Sequence, residues 1–181
     1  MSILKVARMG HPVLRQIAEP VDPADIKSGE MQDLIEDMLE TMYEYNGVGL
    51  AAPQVHVSLQ LALVGGDEDD DGNPIVRPVF NPVITPTTDT LFGMYEGCLS
   101  VPGLRGWVER PVSIHVAYLD ADGERVERDL EGFPAVVFQH ECDHLEGKLF
   151  LDRMKDMRRL AFESEAERFL PIDTMIDGRD V

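Results

Sequence analysis

This 181-residue chain has few cysteines, few basic residues and no long hydrophobic run. Two cysteines do not make a disulfide framework, so metal binding or catalysis is their more usual role in a mid-sized enzyme. The 16 Lys and Arg residues stand against 34 Asp and Glu, which argues against direct DNA binding, because phosphate contacts need clustered basic side chains. No apolar run approaches the roughly 20 residues of a membrane span, and no signal-peptide pattern opens the chain. We therefore expect a cytoplasmic protein that does not bind membranes.

Helical spacing of apolar residues predicts a helix towards each end of the chain. From Met31 to Met42 the apolar residues recur at intervals of three and four, which predicts an N-terminal amphipathic helix. A short C-terminal helix is predicted at about 154–169. Its inward-facing residues are expected to be Met157, Leu160, Ala161 and Phe169.

Alternation of apolar and polar residues predicts strands between these helices. The clearest strands cover 112–118 and 126–130, and Asp122-Gly123 predicts the hairpin turn that joins them. The acidic segment 67–72 is predicted to be a solvated hairpin tip. Since the chain has neither a repeat nor a linker, we expect one α+β domain over residues 1–181, with antiparallel or mixed strands packed around a central metal-binding helix.

The central helix carries the densest group of potentially catalytic residues. Gln139 to Gly147 read Q-H-E-C-D-H-L-E-G, an H-E-x-x-H pair in apolar surroundings. Residues four apart share one face of a helix, so His140 and His144 can bind one metal ion. Glu141 lies beside them and can accept a proton from water. The structural alternative is a pair of core histidines bonded to carbonyl groups, because polar residues in an apolar helix must be paired or coordinated.

Two further residues of this helix are expected to have supporting roles. By helical phase Cys142 points away from the ligand face, which favours a buried packing thiol. Asp143 is expected to orient a ligand or an arginine such as Arg110.

Two histidines need a third ligand, and the spacing leaves two candidates. A zincin-type metallopeptidase takes a Glu about 20 residues after the second His, where this chain has Ser164 flanked by Glu163 and Glu165. The other candidate is Cys98, in a loop bounded by Gly and Pro, whose thiolate a metal would keep deprotonated. The residues alone leave both interpretations open.

Three separated motifs resemble the signature motifs of peptide deformylase, in that family's order. They are G-V-G-L-A-A-P-Q (47–54), E-G-C-L-S (96–100) and Q-H-E-C-D-H (139–144). The resemblance extends from about Lys5 to Met154. It implies a metal-dependent hydrolase that removes the formyl group from the N-terminal formyl-methionine of nascent polypeptides and releases formate. It also implies the ribosome near the exit tunnel as a partner, although the net charge of −18 and the absence of a basic extension in 177–181 favour weak docking or docking elsewhere.

The resemblance also implies a role for individual residues. One divalent metal ion, usually Fe²⁺ in this family, would be held by Cys98, His140 and His144; the donor set also suits Zn²⁺, Ni²⁺ or Co²⁺. Glu141 would be the general base. The oxyanion would be stabilised by the side-chain amide of Gln54 and the backbone N–H of Leu99.

Substrate contacts follow less directly from the resemblance. The peptide would bind extended, with its methionine side chain in an apolar pocket. The candidate pocket residues are Val48, Gly49, Gly97, Leu99, Phe133, Val136 and Val137. A non-catalytic formyl-peptide-binding relative is the other alternative, favoured only by the unusual Met94-Tyr95 before the second motif.

Overall fold

The computed structural model describes residues 2–170 and 173–176, and it confirms an α+β fold with antiparallel sheets. Residues 177–181, which carry no basic extension, lie outside the described residues. The helices and strands, in chain order, are α1 (Gly29–Glu44), β1 (Gly49–Ala51), β2 (Leu61–Glu68), β3 (Pro74–Pro86), β4 (Leu91–Cys98), β5 (Val101–Pro111), β6 (Ser113–Leu119), β7 (Arg125–Glu131), α2 (Phe133–Leu145), α3 (Phe150–Arg153), β8 (Leu160–Phe162), α4 (Glu163–Phe169) and β9 (Asp173–Ile176). Short 3-10 helices cover Pro12–Arg15, Pro23–Asp25, Ala52–Val55 and Met157–Arg159.

The strands form two sheets. The larger sheet has the order β1-β2-β3-β6-β7, and the smaller has the order β8-β5-β4-β9. Neighbouring strands in both sheets are antiparallel, including the β6–β7 hairpin predicted from Asp122-Gly123. Of the acidic segment 67–72, residues 68–72 are exposed around the tip of the β2–β3 hairpin, as predicted, whereas Asp67 lies within β2 and pairs with Arg77 and Arg128.

The larger sheet is covered on both faces. In β2, Ala62 and Val64 belong to the same apolar cluster as Phe138 of α2, whereas Leu61 and Leu63 pack in a cluster with the methionines of α1. Because successive side chains of a strand point to opposite faces, this division places α1 and α2 on opposite sides of the sheet. The smaller sheet has its own cluster, which includes Phe150 of α3.

Local sequence signals set the ends of both long helices. The Ser28 hydroxyl accepts a hydrogen bond from the Met31 N–H and caps α1. Pro134 occupies the first turn of α2, where its missing N–H costs nothing, and Gly147 follows the helix with φ +71°. A Cβ at Gly147 would lie 2.8 Å from the carbonyl carbon of Arg15, so this position needs glycine for space as well as for conformation.

The prediction of a helix at about 154–169 is wrong in its extent. Leu160 and Ala161 lie in β8, which pairs with β5, and α4 begins only at Glu163. Met157 and Phe169, predicted to face inward, are 58% and 74% exposed. The helical spacing of these residues was overridden by strand pairing with a segment far away in sequence.

In the part of the chain that is described, no helix combines the length and the apolar character required to cross a bilayer.

Candidate metal centre and active-site cavity

Cys98 is the last residue of a strand and not, as predicted, part of a loop. β4 extends through Cys98, which pairs with Val101 of β5, and Leu99 and Ser100 form the turn between them. A two-residue turn lets both flanking strands stay paired up to its ends, so the glycine and proline nearby do not interrupt them. The thiol is therefore held by backbone pairing on both sides of the turn.

Cys98 meets the two histidines of α2. One donor atom from each of Cys98, His140 and His144 lies within 4.8 Å of the others. The Sγ of Cys98 is 3.3 Å from Nε2 of His144. Among the side chains that the structure describes, this is the single group of His, Cys, Asp or Glu donors close enough to share a metal ion, so Glu163 and Glu165 are not part of such a group.

The chemistry of this group fits a divalent metal ion. Burial, together with the nearby positive charges of His140 and Arg110, lowers the pKa of His144 well below its usual value, which keeps the imidazole neutral as a ligand must be. Burial opposes a positive charge on His140, but its hydrogen bonds to Cys98 and Glu96 outweigh burial and raise its pKa. The same surroundings would favour the positive charge of a bound metal ion in place of the proton. Nε2 is the ring nitrogen of His144 that faces Cys98, so it is the atom that would coordinate the ion.

A buried ion-pair network fixes His140 from behind. Its Nδ1 lies 2.8 Å from Oε2 of Glu96, and Arg110 donates two hydrogen bonds to the same carboxylate at 2.6 and 3.0 Å. Burial alone would raise the pKa of Glu96, but Arg110 and His140 lower it to about 2, so it stays ionised. A carboxylate that accepts the second ring N–H of a ligating histidine fixes the tautomer and the ring orientation.

Glu96 was not predicted from the sequence, because Cys98 was assigned to a loop and only the pairing of β4 with β5 brings Glu96 beside His140. The expected contact of Asp143 is confirmed, because Arg110 Nη1 donates to it at 2.8 Å. Cys142 is partly buried and packs against the core of the larger sheet, as expected of a packing thiol.

Gln54 presents its amide group to Cys98. Its Oε1 accepts a hydrogen bond from the Ala51 N–H at 2.8 Å, so the amide nitrogen is the atom that faces the cluster. That nitrogen donates to Cys98 Sγ at 3.5 Å and to Ser100 Oγ at 3.3 Å. Ser100, which is fully buried, is a second partner that was not predicted from the sequence.

Glu141 is buried beside the donor group and close to Gly49. Its Oε2 has no hydrogen-bond partner, and a Cβ at Gly49 would lie 2.4 Å from its Oε1. Burial is the main cause that raises its pKa to about 7. A carboxyl group with a pKa near neutrality suits both acceptance and donation of a proton.

One cavity of about 1120 Å³ joins these groups to the surface. Its lining includes Gln54, Cys98, His140 and Glu141, together with all the residues predicted for the substrate pocket: Val48, Gly49, Gly97, Leu99, Phe133, Val136 and Val137. Val136 and Val137 are buried, whereas Val48 and Phe133 are 45% and 42% exposed. The cavity therefore reaches from a polar interior, past apolar walls, to solvent.

The sequence is similar to deformylases along most of its length. The profile of the polypeptide deformylase family matches residues 3–160. A peptide deformylase of Leptospira biflexa is 41% identical over 172 residues, which cover 92% of this chain and 96% of that protein. Peptide deformylase 1 of Bordetella pertussis is 45% identical over 161 residues, covering 87% of this chain and 90% of that protein.

Solved structures show the same similarity. The Met-Ala-Ser-bound class I type b peptide deformylase of Acinetobacter baumannii superposes with a TM-score of 0.78 at 41% identity, and the match covers 85% of this chain and 100% of that one. The peptide deformylase of Thermotoga maritima gives a TM-score of 0.76 at 40% identity, with coverage of 86% and 100%.

Proposed function

The chain belongs to the polypeptide deformylase family, and we propose that Cys98, His140 and His144 hold its catalytic metal ion at the inner end of the cavity. The protein is a hydrolase that removes the N-formyl group from new polypeptides and releases formate. The observation that carries the assignment of residues is the convergence of these three donors beside Gln54 and Glu141.

We propose Fe²⁺ as the native metal, with Zn²⁺, Ni²⁺ or Co²⁺ as ions that the same donor set accepts. A bound divalent cation supplies Lewis acidity, which lowers the pKa of water and polarises the formyl carbonyl group. Metal analysis of protein purified without oxygen identifies the ion. An iron content near one per chain supports the assignment, and another metal at that stoichiometry would contradict it.

Glu141 acts as the general base. Its buried carboxylate accepts a proton from the attacking water and returns it to the leaving amine, after which formate and the free N-terminus depart. The raised pKa caused by burial matches this exchange near neutral pH.

Two N–H groups stabilise the oxyanion that develops on the formyl oxygen. The first belongs to the Gln54 side chain, whose orientation is fixed by its hydrogen bond to the Ala51 N–H. The second is the backbone N–H of Leu99, in the turn after Cys98. Removal of one such donor typically raises a barrier by about 3 kcal/mol.

The apolar wall of the cavity receives the methionine side chain. We assign this role to Val48, Gly49, Gly97, Leu99, Phe133, Val136 and Val137, which line the cavity together. The missing side chain of Gly97 leaves room for the guanidinium group of Arg105, which lies 2.1 Å from the position that a Cβ would take. The peptide backbone binds extended, which allows many sequences to be processed.

The substrates of this reaction are formyl-methionyl nascent polypeptides. We propose that the enzyme meets them in the cytoplasm, near the ribosomal exit tunnel, where a reducing environment keeps both cysteines as thiols.

Formate release from a formyl-Met-Ala-Ser peptide tests the function. Protein loaded with iron under anaerobic, reducing conditions should turn over the peptide. Tight peptide binding without any hydrolysis by correctly loaded protein would instead indicate a non-catalytic relative.

A Cys98→Ala variant separates this site from a zincin-type site with a glutamate ligand. Glu163 forms an ion pair with Arg105, which leaves it engaged outside the donor group. We expect Cys98→Ala to lose metal and activity, and Cys142→Ala, at a packing position, to keep both. Full activity of Cys98→Ala would overturn the ligand assignment.

A further inference from the structure

The N-terminal side of the cavity mouth is basic, although the protein as a whole is acidic. Lys5, Arg8, His11 and His56 line the cavity there and are exposed, and we call these four residues the basic rim. The chain has a net charge of −18, so a surface chosen at random would carry more carboxylates than cations.

The carboxylates that line the cavity are already paired or lie at its inner end. Glu96 is buried against Arg110 and His140, and Glu141 is buried beside the metal donors. Glu163 is paired with Arg105. Among the described residues, no carboxylate forms an ion pair with Lys5 or Arg8, and both residues line the cavity at exposed positions.

The backbone holds the basic rim in a fixed place relative to the reaction site. The Ala7 N–H donates to the Gln54 carbonyl group at 2.7 Å, and the Met9 N–H donates to the Ser100 carbonyl group at 2.7 Å. Arg8 lies between Ala7 and Met9, and their hydrogen-bond partners, Gln54 and Ser100, both lie close to Cys98. His56 follows Gln54 closely, and its ring stacks edge-on against His11 with centroids 4.6 Å apart.

The positive charges of the rim change the pKa of one of its own residues. Burial, followed by the charges of His11 and Lys5, lowers the pKa of His56. His56 therefore gives up its proton more readily than a free imidazole, and the charge on which the proposal rests is that of Lys5 and Arg8.

We propose that the basic rim makes this enzyme prefer formyl-methionyl chains with acidic side chains among the first few residues after methionine. The inference rests on the proposed function. If the formyl group of a peptide is bound at the inner end of the cavity, the rest of the peptide must extend out through this mouth. Hydrogen bonds to the peptide backbone do not depend on the side chains of the peptide, so charge at the rim is the feature that can distinguish peptides with different residues at these positions. Cations at the mouth of a cleft attract and retain substrates of opposite charge, and salt screens the effect.

The experiment compares kcat/KM of the metal-loaded holoenzyme for formyl-Met-Ala-Glu and formyl-Met-Ala-Gln amides, which differ by one charge. We expect the Glu peptide to be favoured by about threefold to tenfold at low ionic strength, the size of one or two solvent-exposed ion pairs. The ratio should approach one at roughly 1 M salt, where the Debye length falls to about 3 Å.

Matched double variants locate the effect. Lys5→Gln with Arg8→Gln should bring the Glu-to-Gln ratio close to one. Lys27→Gln with Arg125→Gln changes the total charge equally, at exposed residues that do not line the cavity, and should leave the ratio as in the wild type.

The outcomes separate this inference from the function on which it rests. Turnover of the Gln peptide with no preference for Glu overturns the rim proposal and leaves the deformylase site intact. An equal fall of the ratio in both double variants also overturns it, because net charge and not the rim would then be responsible. Failure to release formate from either peptide overturns the proposed function itself.

Discussion

At the scale of single residues, the two carboxylate oxygens of Glu141 have different surroundings. Oε2 is buried without a partner, and Oε1 lies where Gly49 has no side chain. A glutamate arranged in this way has no structural bond to maintain, so its replacement should affect chemistry more than folding.

We therefore expect Glu141→Gln to lower kcat for formate release by about 10²- to 10⁴-fold, the usual contribution of a positioned general base. Metal content should stay unchanged, because the amide is nearly isosteric and Glu141 is not a proposed ligand. Glu146→Gln, an exposed residue at the end of the same helix, serves as the control. Wild-type turnover by Glu141→Gln would show that another group takes the proton.

Gly49 gives a second prediction at this scale. An alanine there would place its Cβ 2.4 Å from Oε1 of Glu141, and the buried carboxylate must move to make room. We expect Gly49→Ala to lower kcat well over tenfold while destabilising the fold by only about 1–3 kcal/mol. Gly29→Ala, where a Cβ meets nothing within 4 Å, should match the wild type in both kinetics and denaturant unfolding. The idea fails if the two variants behave alike.

At this scale the sequence indicated the proposed ligands and the proposed base more readily than the residues that support them. His140, His144 and Glu141 share a pentapeptide whose helical geometry is known in advance. Glu96 and Gly49 matter because of what lies opposite them in the fold, and no local pattern marks that.

At the scale of secondary-structure elements, Arg110 joins three of them. It lies in β5, donates to Glu96 of β4, and donates to Asp143 of α2, with all three side chains buried. The guanidinium group is the cation that the two buried carboxylates share, although Asp143 is also paired with Arg153 and Glu96 is also bonded to His140.

Arg110→Met should consequently lower the free energy of unfolding by about 3–5 kcal/mol, since it removes the buried cation that both carboxylates share and leaves them with Arg153 and His140 alone. Urea unfolding of the metal-loaded protein measures the change. Arg125→Met removes an exposed arginine paired with Glu127 and should change stability by less than about 0.5 kcal/mol. A loss below about 1 kcal/mol for Arg110→Met would mean that other groups take over its hydrogen bonds.

The bounds of helices and strands were predicted correctly where local residues set them, and wrongly where pairing with a distant segment sets them. Gly147 marks the end of α2 in the sequence and in the structure. Leu160 to Phe162 look helical by spacing, but they pair with Leu104 to Gly106, more than fifty positions earlier in the chain. The same limit applies to Cys98, whose strand pairing across a tight turn was not visible from the nearby glycine and proline.

At the scale of the whole molecule, the proposed metal site connects the two sheets. Cys98 ends a strand of the smaller sheet, whereas His140 and His144 lie on the helix that packs against the larger one. A bound ion therefore links two layers whose cores are separate clusters.

Removal of the metal should lower the melting temperature, because a ligand present at about 1,000 times its dissociation constant stabilises the folded state by about 4 kcal/mol. Thermal unfolding before and after chelation, followed by addition of metal, measures the shift. Cys98→Ala should respond to chelation much less, since one of the three donors is gone. Equal responses would place the stabilising ion elsewhere.

The overall α+β class and the acidic surface follow from composition and periodicity, but the cavity does not. Its lining comes from the N-terminal segment, the first motif, the turn after β4 and α2, and only the packed fold brings them together. The basic rim is of this kind, because Lys5 and Arg8 are ordinary surface residues until their position at the mouth is known.

The long sequence separations within the site affect how the protein reaches its folded state. Gln54 and Cys98 are 44 positions apart, and Cys98 and His144 are 46 apart. Contacts of such high order close large loops and form slowly, after local helices and hairpins. On refolding, helical circular dichroism should therefore recover before affinity for the metal, and the interval between the two is the time the sheets take to dock.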